Sequence, residues 1–477
     1  MYSILFMGFR HLHFIGACGR GMGAVALALS RAGWSVTGSD EGAYPPMSEL
    51  LKEHGIEVMM PYDSANIPCM AELLVVGKRV RDSNPELRHA IANGLPYCSF
   101  PALLRSIFLN RSRNAVVAGG IGKTTTTAML AWILEHAGRG PDYLIGGLAR
   151  DLELPARFMG ADFAVLEGDE YASCFDDLQP KFMHYNPEIV VITNIVEDHP
   201  DLYSDFGEVE KAFEQLVRLL PSSGCLVIPD DDKAATRTAS ACGCPVLRVG
   251  FSRQADFRIT DVHLLAGESR FRLAEANFVL PLCGRMNIRN AAMAAVAAAH
   301  FGIPHQQSTD AIARFSGIHN RQQRHTIGQY TVVTDRAAHP IALRALFEAT
   351  RQEYPGRRIV SIIQPRGTGG KNWIYQRDLP AALASTDRVV VLGAYEHNPE
   401  PGHSWKGGRF STDALVSDLA RRGVPATAIT KCSELSDALS DGLSPDDVVV
   451  LNLPEQAIGI LATVKQALAH FRQVEEL

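Results

Sequence analysis

The chain has 477 residues, 46% hydrophobic and 21% charged, which is ordinary globular composition at a length suited to about three domains. Lys and Arg number 46 against 52 Asp and Glu, a net charge of −6, so no overall electrostatic pull toward nucleic acid or an anionic membrane exists. No apolar run is long enough to cross a bilayer, and nine irregularly spaced cysteines without paired CxxC knuckles read as reduced thiols of a cytoplasmic protein.

Met1 to Phe9 is apolar but lacks a basic leader, and Arg10 and His11 break it, so it reads as an extension into the first strand rather than a signal peptide. Strands are then expected at His13–Ile15, Ser35–Gly38, Leu73–Val76, Ala115–Ala118, Phe163–Leu166, Ile189–Thr193, Leu226–Ile228, Ile359–Ile363, Val389–Leu392 and Val448–Leu451. These are continuous apolar runs, the pattern of strands buried on both faces. Helical spacing lies between them, as at Met129, Trp132 and Ile133. The expected class is α/β, with parallel sheets covered by helices. Polar breaks at Asn110–Asn114 and Gly317–Gly328 divide the chain into domains 1–110, 111–325 and 326–477.

Four segments carry chemistry. Gly16-Ala-Cys-Gly19-Arg-Gly21-Met22-Gly23 follows a strand and opens an Ala/Leu helix, so its backbone can approach a phosphate. Asp40, closing the next strand, is placed to bond a ribose hydroxyl. Gly119-Gly120-Ile121-Gly122-Lys123-Thr124-Thr125 follows Ala115–Ala118 and opens another helix. It has only two residues between its glycines where the common P-loop has four, yet the logic is retained. Backbone N–H groups wrap phosphate oxygens, Lys123 neutralises the β/γ charge and Thr124 can hold Mg2+. Glu167-Gly-Asp-Glu-Tyr171 ends a strand of the same domain, where a magnesium carboxylate belongs. Thr193-Asn194-Ile-Val-Glu-Asp198-His199 ends the next strand and is a candidate for metal or phosphate work.

In this order the last three segments resemble the Mur ligases, ATP-dependent amide ligases of peptidoglycan assembly. Further along, Gly284-Arg-Met-Asn287, Asn320-Arg321 and Thr334-Asp335-Arg-Ala-Ala338-His339-Pro340 resemble the family's adenine helix, arginine pair and third-domain turn. The resemblance implies a Rossmann-like N-terminal domain for a UDP-sugar, a central P-loop ATPase-like domain and a C-terminal Rossmann-like ligase domain. It implies ATP and Mg2+ as cofactors. Lys123 and His199 become the catalytic pair, with Thr124 and Glu167 on one Mg2+ and His199 on a second. Asn194 lies beside the phosphates, and Asn287, Arg321 and Asp335 meet adenine, phosphate and ribose. Gly16, Gly19, Gly21, Met22 and Asp40 hold the UDP-sugar.

Three segments, Ala43-Tyr44-Pro-Pro-Met-Ser48, Asn84-Pro-Glu86 and Lys181-Phe-Met-His-Tyr185, resemble the family branch that joins UDP-N-acetylmuramate to L-Ala-γ-D-Glu-meso-diaminopimelate in peptidoglycan recycling. The alternatives are the branch that adds L-alanine, a ligase of another carboxylate and amine, and a pseudo-ligase that binds nucleotide or UDP-sugar without joining anything. Against the family pattern the chain has Gly120-Ile121 for Thr-His, Ala172 for Asp, Met286 for His, Thr334 for Asp, Ala338 for His and Gln364 for Glu.

Overall fold

The computed structural model describes residues 8–43, 45–197, 203, 205–365, 373–393, 410–430, 434–440, 442–453, 464 and 468. The first sheet holds β1 (His11–Ile15), β2 (Ser35–Ser39), β3 (Val58–Met59), β4 (Leu73–Val76) and β5 (Tyr97–Cys98) in the order β3-β2-β1-β4-β5, every pair parallel. Strand order reverses between β1 and β4, and such a switch leaves a crevice beyond the carboxyl ends of the strands.

The second sheet contains β6 (Arg113–Ala118), β7 (Asp142–Leu144), β8 (Ala156–Arg157), β9 (Phe163–Gly168), β10 (Ile189–Ile192), β11 (Cys225–Pro229), β12 (Val246–Gly250), β13 (Phe257–Leu265), β14 (Glu268–Leu273) and β15 (Ala276–Leu280). Their order is β15-β14-β13-β12-β11-β10-β6-β9-β7-β8. The stretch from β13 to β7 is parallel, whereas β8, β14 and β15 are joined through antiparallel pairings at the two edges. The third sheet, β16 (Gln323–Ile327), β17 (Tyr330–Asp335), β18 (Ile359–Ile363), β19 (Arg388–Leu392), β20 (Ala426–Ile429) and β21 (Val448–Asn452), has the order β16-β17-β21-β18-β19-β20. Only its β16–β17 hairpin is antiparallel.

The α/β class and every expected strand are present. The additions include short buried strands such as β7, the largely buried β17, and half-exposed strands. In β14 and β15, buried Phe271, Leu273, Phe278 and Leu280 alternate with exposed residues, and Phe271 stacks on Phe278 at 4.9 Å. A search for continuous apolar runs passes over that alternation. β16 straddles the expected 325/326 boundary and belongs to the third sheet.

The first two domains share one apolar core. Phe108 packs on Phe158 with ring centroids 5.2 Å apart, and Cys174 and Phe175 of the central domain sit among Ile15, Leu74, Val76 and Leu87 of the first. The third domain has apolar clusters of its own. It meets the central domain partly through Gln352, whose Oε1 accepts from Gly284 N–H at 2.8 Å. Its Nε2 donates to Leu265 O, Glu268 O and Ser269 Oγ at 3.0–3.1 Å.

Candidate functional site

The phosphate loop forms because β6 is buried and apolar to its last residue and then runs into glycines with positive φ. Gly119 has φ +129° and Gly122 +91°. A Cβ on Gly119 would collide with Thr193 Oγ1, and one on Gly122 would lie 2.7 Å from Asn290 Oδ1, so glycine is required at both. Asn194, just past β10, pins the loop from the neighbouring strand. Its Oδ1 accepts from Ile121 N–H at 3.0 Å, its Nδ2 donates to Ile121 O at 2.6 Å, and its carbonyl accepts from Gly120 N–H at 3.3 Å. The N–H groups of Gly120 and Ile121 are engaged with Asn194, and the first-turn amides of the helix Lys123–His136 have no partner within their own helix.

Lys123 Nζ lies 3.0 and 3.4 Å from the carboxylate oxygens of Glu170. Burial alone would drive its proton off, but Glu170, Asp169 and Glu167 outweigh burial and hold its pKa above the ordinary lysine value. β9 pairs in register with β6, Val117 opposite Glu167, which sets Glu167 beside the loop. Thr124 Oγ1 donates to Glu167 Oε1 at 2.9 Å and Gly146 N–H donates to Oε2 at 2.6 Å. Burial, then the charge of Asp169, raise the Glu167 pKa against the opposing pull of Lys123. A half-buried carboxylate beside a hydroxyl and a second carboxylate is a hard-oxygen donor set that a divalent cation would relieve of negative charge, so these residues fit Mg2+. Asp198 and His199 lie outside the described residues.

Asn287, near the start of the helix Arg285–His300, donates to Cys283 O at 2.8 Å and to Gln322 Oε1 at 3.2 Å. Gln322 N–H in turn donates to Asp335 Oδ2 at 2.8 Å, and Ala337 N–H donates to Oδ1 at 2.6 Å. Asp335, expected to meet a ribose, thus anchors the connector between the central and third domains. Asn320 and Gln322 of that connector have φ +57° and +45°. Arg321 between them lies close to Arg20 of the first domain. Burial first, then Arg321, lower the Arg20 pKa to about 10, while Glu167 and Asp169 oppose the shift. Sequence reasoning missed Arg20; the signal was an arginine between the two glycines of the first turn.

In that turn Gly16 has φ +85°, and the N–H groups of Gly16 and Ala17 both donate to Ser39 O. Asp40, expected to bond a ribose hydroxyl, is occupied within its own domain, since Oδ2 accepts from Cys18 N–H and Oδ1 from Glu41 N–H, each at 2.7 Å. Burial raises its pKa against those bonds. The Met22 side chain is buried near Gly19 and Gly77. Beside these two side chains the turn presents backbone at Gly19 and Gly21 and the first amides of the helix Arg20–Arg31.

The pattern of the Mur ligase family catalytic domain matches residues 11–112, and that of the Mur ligase middle domain matches residues 117–299. The chain is 34% identical over 458 residues to the UDP-N-acetylmuramate–L-alanyl-γ-D-glutamyl-meso-2,6-diaminoheptandioate ligase of Escherichia coli, covering 91% of this chain and 98% of the relative. It belongs to the Mur ligase family. It is also 31% identical over 463 residues to the UDP-N-acetylmuramate–L-alanine ligase of Burkholderia pseudomallei, covering 94% and 96%. A crystal structure of a murein peptide ligase from Psychrobacter arcticus superposes with a TM-score of 0.71 at 25% identity, over 96% of this chain and 98% of that one.

Within this Mur ligase the departures in the third domain have definite surroundings. Thr334 Oγ1 pairs with His325 Nε2 at 3.0 Å, on the strand face opposite Asp335. Gln364 is buried, and its Nε2 donates to Gly393 O at 3.0 Å while its Oε1 has no partner among the described residues.

Proposed function

We propose that this Mur ligase uses ATP to join the carboxylate of UDP-N-acetylmuramate to the amine of L-Ala-γ-D-Glu-meso-diaminopimelate through an acyl phosphate. The observation that carries the reading is the joining of Lys123, Thr124 and Glu167 at the ends of adjacent parallel strands, with Arg20 approaching from the first domain and Arg321 from the connector. The names and coverage of the relatives support the substrates.

A carboxylate is a poor electrophile, and its phosphorylation creates a leaving group. The protein's part is positioning and charge neutralisation. Lys123 stays protonated across neutral pH and meets the β/γ-phosphate oxygens on leaving Glu170. The first-turn amides beside it orient the same phosphates. Asn194 keeps the loop in shape, and Asn287, Arg321 and Asp335 line the approach of the third domain. Thr124 and Glu167 hold Mg2+, which supplies Lewis-acid neutralisation of phosphate charge when bound. His199 is assigned to a second ion on its sequence position. The first domain's turn takes the diphosphate of the sugar nucleotide. Peptidoglycan recycling in the cytoplasm is the setting these substrates imply.

The test is phosphate release from ATP that requires UDP-N-acetylmuramate and the tripeptide together. L-alanine in place of the tripeptide tests the other branch. A second reading, nucleotide or UDP-sugar binding without ligation, is favoured by Ala338 and by the engagement of Thr334 with His325. Binding of both nucleotides with no coupled phosphate release would establish it.

A further inference from the structure

The chain enters β12 through Ala241-Cys242-Gly243-Cys244-Pro245, a segment outside every motif considered so far. A short helical turn, Ala239–Ala241, ends at Cys242, whose backbone is extended at φ −84° and ψ 135°. The chain then bends over Gly243 and Cys244, and Pro245 O accepts from Leu226 N–H at 2.9 Å, which fixes the start of the strand. Gly243 is exposed, and a Cβ on it would meet nothing within 4 Å, so the bend lies at the surface. The two side chains flanking it turn toward each other, with Cys242 Sγ 3.0 Å from Cys244 Sγ. Both are free thiols and both are half-buried. Cys225, the first residue of β11, is close to both but is buried in the sheet.

Contact between two thiols changes what a small-molecule disulfide does on meeting them. At an isolated exposed thiol, exchange stops at the mixed disulfide, because no second sulfur is in reach to displace the remaining small thiol. At this bend the second sulfur is already in contact, and closing so short a loop avoids the entropy cost of joining distant cysteines. The two sulfurs also differ in role. Burial first, then the bond with Cys242, push the Cys244 thiol up to about 12, so Cys244 keeps its proton until the first exchange has occurred. The site stands apart from the phosphate loop. Val246 pairs with Leu226, Leu226 with Val190 and Val190 with Val116, which sets the bend at the amino end of the sheet, whereas the loop follows Ala118 at the carboxyl end.

We infer that Cys242 and Cys244 form a dithiol site that reduces small-molecule disulfides and closes into an intrachain disulfide. The Cys242 thiolate attacks one sulfur of the small disulfide, whose S–S bond breaks, and one small thiolate leaves and takes up a proton. The Cys244 sulfur gives up its proton and attacks the Cys242 sulfur of the mixed disulfide, and the second small thiolate leaves and is protonated. Two cysteines lose two electrons and two protons, and one disulfide gains them as two thiols. The inference is independent of the ligase reading. The experiment treats the native full chain with oxidised glutathione, blocks remaining thiols and digests with trypsin. Cleavage after Arg237 and Arg248 releases residues 238–248 with these two cysteines and no other. The expected product is that peptide lighter by two hydrogens and free of glutathione. Cys244→Ser should trap a glutathione adduct on Cys242. Cys242→Ser should slow reaction at this peptide about tenfold or more, because the remaining sulfur holds its proton. Stable adducts on both cysteines of the parent chain, a cross-link from either to Cys225 in peptide 219–233, or an unmodified peptide while exposed Cys69 is modified, each overturn the inference. Cys242→Ala and Cys244→Ala, with melting temperatures compared to that of the parent chain, repeat the test should a serine variant misfold.

Discussion

Asn194→Ala isolates what the two-way clamp on the phosphate loop contributes. The substitution deletes the bond accepted from Ile121 N–H and the one donated to Ile121 O, while the backbone bond from Gly120 N–H remains. Each lost bond is worth about 0.5–1.5 kcal/mol net, so the pair contributes roughly 1–3 kcal/mol to the ordered loop. ATP binds only the ordered loop, and a deficit of about 2 kcal/mol raises the MgATP Kd about thirtyfold. Asn194→Asp sharpens the test. It keeps an acceptor for Ile121 N–H but sets a carboxylate oxygen against Ile121 O at the 2.6 Å now spanned by a donated bond, so it should bind more weakly than the alanine variant. Titration calorimetry with MgATP reads both. If the aspartate variant binds as tightly as the parent chain, the clamp is not what shapes the loop.

Gly122→Ala forces a side chain into φ +91° and to within 2.7 Å of Asn290 Oδ1, and should remove ATP-dependent turnover while the melting temperature shifts by only a few degrees, roughly 1–2 kcal/mol of local strain; retained turnover contradicts the loop geometry. Glu167 has a raised pKa, so protons compete with Mg2+ at a higher pH than for an ordinary carboxylate; apparent Mg2+ affinity should fall on acidification, and Glu167→Gln should lose both the affinity and this pH limb in Mg2+ titrations at fixed ATP. Gln352→Ala removes the bonds to Gly284, Leu265, Glu268 and Ser269 and should weaken third-domain docking by about 2 kcal/mol, seen in calorimetry as a lowered third-domain transition with the others unmoved. Ala338→His should tighten MgATP binding, whereas Thr334→Asp, facing His325, should not; tightening by the aspartate alone contradicts the strand orientation.

The parallel strands were legible because burial on both faces writes itself as an unbroken apolar run, as in Ile189–Ile192 and Val448–Leu451. The phosphate loop was legible because its glycines and lysine are adjacent in sequence. Features made by tertiary contact were not. Asp40 and Asp335 sit in positions that suit a ribose, and each also accepts backbone N–H bonds, from Cys18 and Glu41 and from Gln322 and Ala337, partners that only folding selects. Glu170 was read as part of an acidic segment, and nothing in its spacing announced that it, rather than Glu167, pairs with Lys123. Arg20 lies well over a hundred residues before Glu167 and Asp169, the central-domain charges it feels, so no local pattern links them.

The two domain boundaries differ in what they would cost to cut. At the first, Phe108 against Phe158 and the insertion of Cys174 and Phe175 make one continuous interior, and an excised first domain would expose that apolar surface to water. At the second, the connector Asn320–Gln322 and the amide of Gln352 form a joint with polar contacts that water can replace. Part-exchange between relatives should therefore succeed at residues 320–322 and fail near residue 112. A chimaera carrying the third domain of a relative with the full Asp-Asp-x-x-His-His-Pro turn, grafted at the connector, keeps this chain's own nucleotide-sugar crevice and phosphate loop, and so separates the contribution of the altered third domain from that of everything before it.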